Sequence, residues 1–166
     1  MVLGLPLHTF TVVHVAISLI GIASGVVVVL GMLGSMRLNA ITALFLITTV
    51  LTSVTGFVFP FHKVTPGIVL GVLSLIALFV AILARYKSHL AGKSRWVYVV
   101  SSVLALWFNV FVLIVQSFQK IPALNALAPN GNEPPFAIAQ AVVLLVFIVL
   151  GVLAVKKFHP APAAAA

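Results

Sequence analysis

Residues 136–155 read FAIAQAVVLLVFIVLGVLAV, a run without a charged side chain in which Gln140 is the most polar residue. A helix rises about 1.5 Å per residue, so this run is long enough to cross the roughly 30 Å hydrocarbon core of a membrane. The surface helices of soluble proteins carry a polar face, which this run lacks. We therefore predict a transmembrane helix here.

Further apolar runs precede it, at residues 10–34, 40–59, 67–86 and 96–118, and the single charged residue within them is Arg85, next to the end of the third. Hydrophobic residues make up 63% of the chain and charged residues 6%, whereas a soluble domain is about 45–50% apolar. The sequence predicts an all-α integral membrane protein, a bundle of five transmembrane helices forming a single domain over residues 1–159. The tail, residues 160–166, is rich in alanine and proline and is predicted to be disordered.

Basic residues are distributed unevenly between the predicted loops, and this predicts the orientation. One side of the bundle receives Arg37, Arg85, Lys87, Lys93, Arg95, Lys156 and Lys157, while the other receives Lys63 and Lys120. Cytoplasmic loops carry the excess of Lys and Arg, so we expect the C-terminus in the cytoplasm and the N-terminus outside. The net charge of +8 is scattered between apolar runs, so the bilayer rather than nucleic acid is the expected partner.

The chain has no cysteine and a single acidic residue, Glu133. Thiolate chemistry, paired-carboxylate hydrolysis and carboxylate proton relays therefore lack the residues they need. These absences favour a protein that is not an enzyme.

Polar side chains concentrate toward the predicted outer surface. His14 is expected about one turn inside the first span, and ionisable residues inside a membrane are candidates for function. Gln116 and Gln140 are expected at a similar depth, with Asn109 and Trp107 deeper in the fourth span. We predict an outward-opening pocket bounded by His14, Gln116 and Gln140. The loop that contains Glu133 would cap this pocket.

Histidine is also the commonest side-chain ligand of haem and metals. His8, His14 and His62, with Glu133, are the candidate ligands of a metal, and His14 with His62 are those of haem b. The alternative is structural, because polar residues in membrane helices often only hydrogen-bond to a neighbouring helix. Small residues at Gly21, Gly25, Gly67 and Gly71 likewise predict close helix packing.

The run NVFVLIVQSFQKIPALNALAP at residues 109–129, followed by EPPF at 133–136 and Gln140, resembles a group of small bacterial inner-membrane proteins. The resemblance extends from His14 to the fifth helix. It implies a multi-pass protein of the bacterial inner membrane and brings no activity, cofactor or substrate. More loosely, His14 followed by the Thr-Gly pair of the second helix is similar to small haem-binding membrane proteins.

Three functional hypotheses follow from these residues. The first is a non-enzymatic ligand-binding module or partner subunit, associating with other membrane proteins or with copies of itself. The second is an electron-transfer protein that binds haem or quinone through His14, Gln116 and Trp107. The third is a small transporter or channel that uses the Thr and Asn/Gln stripes of the second and fourth helices.

Overall fold

The computed structural model describes residue 2, residues 4–60 and residues 66–161. Within these residues the chain forms long helices joined by short loops. They are α1 (Leu7–Leu33), α2 (Asn39–Gly56), α3 (Pro66–Ile82), α4 (Ser94–Lys120) and α6 (Pro134–Lys157). A π-helical turn, Leu83–Lys87, extends α3, and a single-turn helix α5 (Pro122–Asn125) lies between α4 and α6.

All five long helices are apolar and long enough to cross a membrane, which confirms the all-helical fold and the number of candidate spans. The observed boundaries differ slightly from the predicted ones. Helix α2 ends at Gly56 rather than at residue 59. The physical reason is Pro60, which has no amide hydrogen and disfavours helical geometry in the residue before it. Most of the predicted disordered tail lies outside the described residues.

Helix α4 is at the centre of the bundle, because it contacts α1, α2, α3 and α6. Among the described elements, helix α6 packs on α4 and α1 alone. The bundle has two ends. We call them the N-terminal end, where α1, α3 and α6 begin, and the basic end, where α2 and α4 begin.

The buried apolar core lies mainly toward the basic end. It is built from Val28, Val29, Met32, Phe45, Leu46, Leu78, Tyr98, Val99, Leu106 and Phe158, among others. Phe158, just after α6, is 1% exposed and packs 5.9 Å from the ring of Tyr98. Arg95 of α4 also binds the C-terminal end of α6, since its Nη1 donates to the carbonyls of Val155 at 3.2 Å and of Phe158 at 2.5 Å.

The predicted close packing at Gly21 and Gly25 is confirmed. A Cβ on Gly25 would lie 2.6 Å from Leu106 and 2.8 Å from the ring of Phe45, closer than real atoms approach. A Cβ on Gly21 would lie 3.2 Å from the hydroxyl oxygens of Thr48 and Thr49. Small residues on α1 therefore let α2 and α4 approach its backbone.

Candidate functional site

His14 is held by the second helix. Its Nδ1 lies 2.7 Å from the Thr55 hydroxyl oxygen, and that hydroxyl lies 2.6 Å from the carbonyl oxygen of Leu51. Because the hydroxyl proton is directed to Leu51, its oxygen accepts the proton of Nδ1, and Nε2 becomes the acceptor of the imidazole. The ring also packs edge-to-face with Phe59 at 5.1 Å.

Gln140 of α6 faces α4 instead. Its Nε2 donates to the carbonyl oxygen of Phe111 at 3.2 Å. Its Oε1 is buried, with no hydrogen-bond partner among the described residues. Gln116, in contrast, is exposed on α4.

Two further candidate residues on α4 are also incompletely satisfied. The side chain of Asn109 is 9% exposed, and its Nδ2 is buried without a partner in the described part of the chain. The same holds for Nε1 of Trp107. Leaving one buried hydrogen-bonding group unpaired costs about 1–3 kcal/mol. Trp107, Asn109 and Gln140 thus each retain unused hydrogen-bonding capacity, and Asn109, two residues after Trp107, lies on a different face of α4.

An apolar groove of about 160 Å³ runs between α4 and α6 beside Trp107. Its walls are formed by Val100, Val103, Leu104 and Trp107 of α4 and by Leu144, Phe147, Ile148 and Gly151 of α6. Gln140 is one helical turn before Leu144, on the same face of α6. The groove therefore has in its wall a tryptophan with an unused donor, and a glutamine lies one turn beyond it toward the start of α6.

A second groove, of about 340 Å³, lies between α3 and α4 and is lined almost entirely by apolar side chains. Neither groove includes His14, Gln116 or Gln140 in its lining. His14 turns to α2 and Gln140 to α4, and no described hydrogen bond joins His14 to either glutamine. The outward pocket bounded by these three residues stays a prediction.

Glu133 stabilises its own loop rather than reaching into the bundle. Its carboxylate accepts hydrogen bonds from the amide of Asn130 at 3.0 Å, the Asn130 side chain at 2.7 Å and the amide of Asn132 at 3.1 Å. Partial desolvation acts to raise the pKa of this carboxyl, but the hydrogen bonds outweigh it and hold the pKa below its ordinary value of 4.5. The carboxylate of the only acidic residue in the sequence is thus used in hydrogen bonds within its own loop.

The candidate metal ligands are distributed as follows. His8 is exposed in the first turn of α1, and His62 lies outside the described residues. Among the residues that the structure describes, no three His, Asp or Glu side chains form a group that could hold a metal ion. The metal and haem assignments remain predictions.

Arg85, at the end of the predicted third span, was counted with the basic residues of the following loop, and its burial was not predicted. The structure places Arg85 in the π-helical turn after α3 and buries it to 6% exposure. A signal for this position was present, since the apolar run of the third span continues to residue 84 without a helix breaker. The loop assignment followed the charge of Arg85 rather than the pattern around it.

No family model, curated protein or solved structure matches this chain. The functional conclusions therefore depend on the geometry and chemistry of the side chains described above.

Proposed function

We propose that this protein is a small non-enzymatic protein of the bacterial inner membrane that binds an amphipathic ligand along the contact between α4 and α6. One observation carries the proposal. Trp107 and Gln140 leave buried hydrogen-bonding atoms unpartnered in the described structure, and the apolar groove runs beside Trp107. Ligand sites are mostly apolar with a few polar groups that fix orientation, and this contact has both features.

The unpartnered atoms define the chemistry of the ligand. Trp107 Nε1 is a donor, whereas Gln140 Oε1 is an acceptor. A ligand headgroup with a hydroxyl group would accept from the indole and donate to the glutamine. The groove volume of about 160 Å³ is below the roughly 300–1,000 Å³ of enclosed ligand sites. The apolar tail of the ligand would therefore lie partly against surrounding lipid, as the tail of a quinol or a lipid-like alcohol can.

Binding without catalysis fits the same residues. Amide and indole groups do not ionise near neutral pH, so they can orient a ligand without acting as general acids or bases. Glu133, the only acid, is occupied by the amide groups of its own loop.

The test uses a decyl alcohol brominated on its chain as the probe, because its hydroxyl group can donate to Gln140 Oε1. Bromine quenches tryptophan fluorescence, which is the readout. Trp96→Phe leaves Trp107 as the only tryptophan of the chain. We expect saturable quenching of Trp107 in the purified, detergent-solubilised protein. Gln140→Leu should weaken binding about tenfold, the effect of losing one buried hydrogen bond.

The matched control is Gln119→Leu, which removes an exposed amide from the end of α4. It should leave the binding curve unchanged. Quenching that rises linearly with probe concentration would mean partition into the micelle and would reject the proposal. Equal curves for Gln140→Leu and the unsubstituted protein would also reject it.

A second candidate function, haem binding, is favoured by the orientation of His14. Metal-binding histidines usually donate their other ring N–H to an oxygen, as Nδ1 does to Thr55 here. The protein purified after expression with added haem precursor would then show a Soret absorption band that is lost in His14→Ala. Absence of the band in the unsubstituted protein removes this candidate.

A further inference from the structure

Arg85 is turned into the bundle by the π-helical turn that carries it. The amide of Ser88 donates to the carbonyl of Leu83 at 3.0 Å, which inserts one more residue than an α-helical turn contains. Tyr86 and Lys87 are consequently exposed, while Arg85 is 6% exposed. Single π turns are frequent at functional sites, where they redirect a side chain.

Within the described part of the chain, the guanidinium of Arg85 has neutral partners alone. Its Nη2 donates to the carbonyl oxygen of Arg37 at 2.8 Å and to Oδ1 of Asn39 at 2.7 Å. Its face lies 5.1 Å from the ring centre of Tyr98. Nη1 is buried and has no partner among the described residues.

Arg37 brings a second guanidinium to the same place, since its backbone carbonyl is the group that Arg85 contacts. The only hydrogen bond of its side chain in the described structure is a long one, 3.5 Å from Nη2 to the carbonyl of His89. Its Nε is buried without a described partner. Arg37 is therefore weakly held and able to turn toward a better acceptor.

No acidic side chain compensates these two charges. Glu133 is the only Asp or Glu in the chain, and it lies in the loop before α6, at the opposite end of the bundle. Arginine stays protonated at any physiological pH. Buried charges are normally paired, because an unpaired one loses its hydration without compensation. The guanidinium groups of Arg37 and Arg85 therefore have no anionic partner among the described residues.

The loops around the two arginines have strained backbones. Among the described residues, the non-glycine residues with positive φ are Ser35, Leu38, His89 and Leu90. All four lie in the two loops that flank Arg37 and Arg85. Strained residues of this kind persist where the surrounding structure fixes them, and they cluster at ligand-binding sites.

From this geometry we infer that Arg85 and Arg37 form a binding site for a phosphate group at the basic end of the bundle. A phosphate offers several acceptor oxygens, and the planar guanidinium fork matches their spacing. The sources of this group are the headgroup of an anionic phospholipid and free inorganic phosphate. The site is independent of the proposed function at the α4–α6 contact.

Arg95 is not assigned to the site, because its Nη1 donates to the carbonyls of Val155 and Phe158 and directs this guanidinium to the end of α6. Lys156 and Lys157, in the last turn of α6, are exposed cations at the same end. They supply a charge-matched control, since replacing both removes positive charge from this end without touching either arginine.

The experiment measures the melting temperature of the full chain in a neutral detergent. Phosphatidylglycerol is titrated against the same amounts of phosphatidylcholine, and sodium phosphate against sodium chloride at equal ionic strength. The variants are Arg37→Gln, Arg85→Lys and the control K156Q/K157Q. Arg85→Lys keeps the charge and removes the fork. Arg37→Gln keeps the Arg85 contacts, which use the backbone of residue 37.

We expect a saturable rise in melting temperature for the unsubstituted protein and for the control variant. Arg37→Gln and Arg85→Lys should each need about tenfold more ligand for the same rise, the effect of losing a charge-assisted hydrogen bond. A rise with phosphatidylglycerol alone assigns the site to a lipid headgroup, and a rise with sodium phosphate assigns it to free phosphate.

Three results would overturn the inference. The first is an equal rise with phosphatidylcholine and phosphatidylglycerol together with no effect of phosphate. The second is a loss in K156Q/K157Q as large as in Arg37→Gln, which would mean nonspecific attraction by surface charge. The third is unchanged ligand affinity in Arg37→Gln. If Arg85→Lys does not fold, Arg37→Gln alone decides between support and rejection.

Discussion

The imidazole of His14 and the hydroxyl of Thr55 are joined by a hydrogen bond of 2.7 Å that links α1 to α2 near the N-terminal end of the bundle. Thr55 also donates to the carbonyl of Leu51 in its own helix, so it bridges His14 to the backbone of α2. A polar residue within an apolar helix thus has a defined partner on the neighbouring helix, as the satisfaction of buried polar groups requires.

Thr55→Val should destabilise the bundle by about 1 kcal/mol, because it leaves Nδ1 of His14 without its partner. The measurement is the free energy of unfolding in detergent. The matched control is Thr11→Val, since the hydroxyl of Thr11 bonds only to the carbonyl of Leu7 in its own helix. Equal destabilisation by both variants would mean that the link between the helices contributes nothing.

Gly25→Ala should lower stability by about 1–3 kcal/mol, the usual cost of overpacking, because the new methyl group would overlap the ring of Phe45 and the side chain of Leu106. Gly25→Leu should be worse. Gly151→Ala is the control, since its Cβ would make an ordinary contact of 3.5 Å with Val103. If both alanine variants melt at the temperature of the unsubstituted protein, α1 does not pack at Gly25 as described.

Replacing Glu133 should affect stability only above acidic pH. The pKa of Glu133 is lowered in the folded protein, so its contribution is present above the ordinary pKa of 4.5 and disappears as pH falls through the folded pKa. The melting-temperature difference between the unsubstituted protein and Glu133→Gln should therefore be positive at neutral pH. It should shrink toward zero in acid, and a difference that persists there contradicts the assignment.

The basic end should face the cytoplasm. Arg37, Arg85, Lys87, Lys93, Arg95, Lys156 and Lys157 lie in or beside the turns and helix ends of that end, and such residues resist translocation. A green fluorescent protein fused after residue 166 should fluoresce, and alkaline phosphatase at the same position should be inactive. The opposite pair of results would reverse the orientation.

The number and approximate limits of the helices follow from the sequence because each depends on a local property. A run of twenty residues with one strongly polar side chain, as at 136–155, is long enough for a span whatever its neighbours are. Proline and glycine mark the ends, as Pro134 does at the start of α6. The small-residue spacing of Gly21 and Gly25 likewise indicated close packing, although it did not specify Phe45 and Leu106 as the neighbours.

The partners of the polar residues could not be predicted in the same way. Depth alone grouped His14 with Gln116 and Gln140, because residues at one level of a bundle are potential neighbours. The rotation of each helix about its axis decides which neighbour a side chain meets, and the packing of all the helices together sets that rotation. The observed rotations bring His14 into a hydrogen bond with Thr55, and Gln140 into one with the carbonyl of Phe111.

Arg85 shows the limit of the sequence most clearly. Its charge and its position next to a loop predicted a solvated residue at the end of a helix. A π-helical turn, a feature that depends on tertiary packing, directed it inward onto Tyr98 and the carbonyl of Arg37. The sequence by itself determined which residues form the membrane-spanning helices, because this depends on the length of each apolar run and not on its neighbours in space. Tertiary structure alone decided which polar groups lack partners, because that depends on contacts between residues distant in sequence.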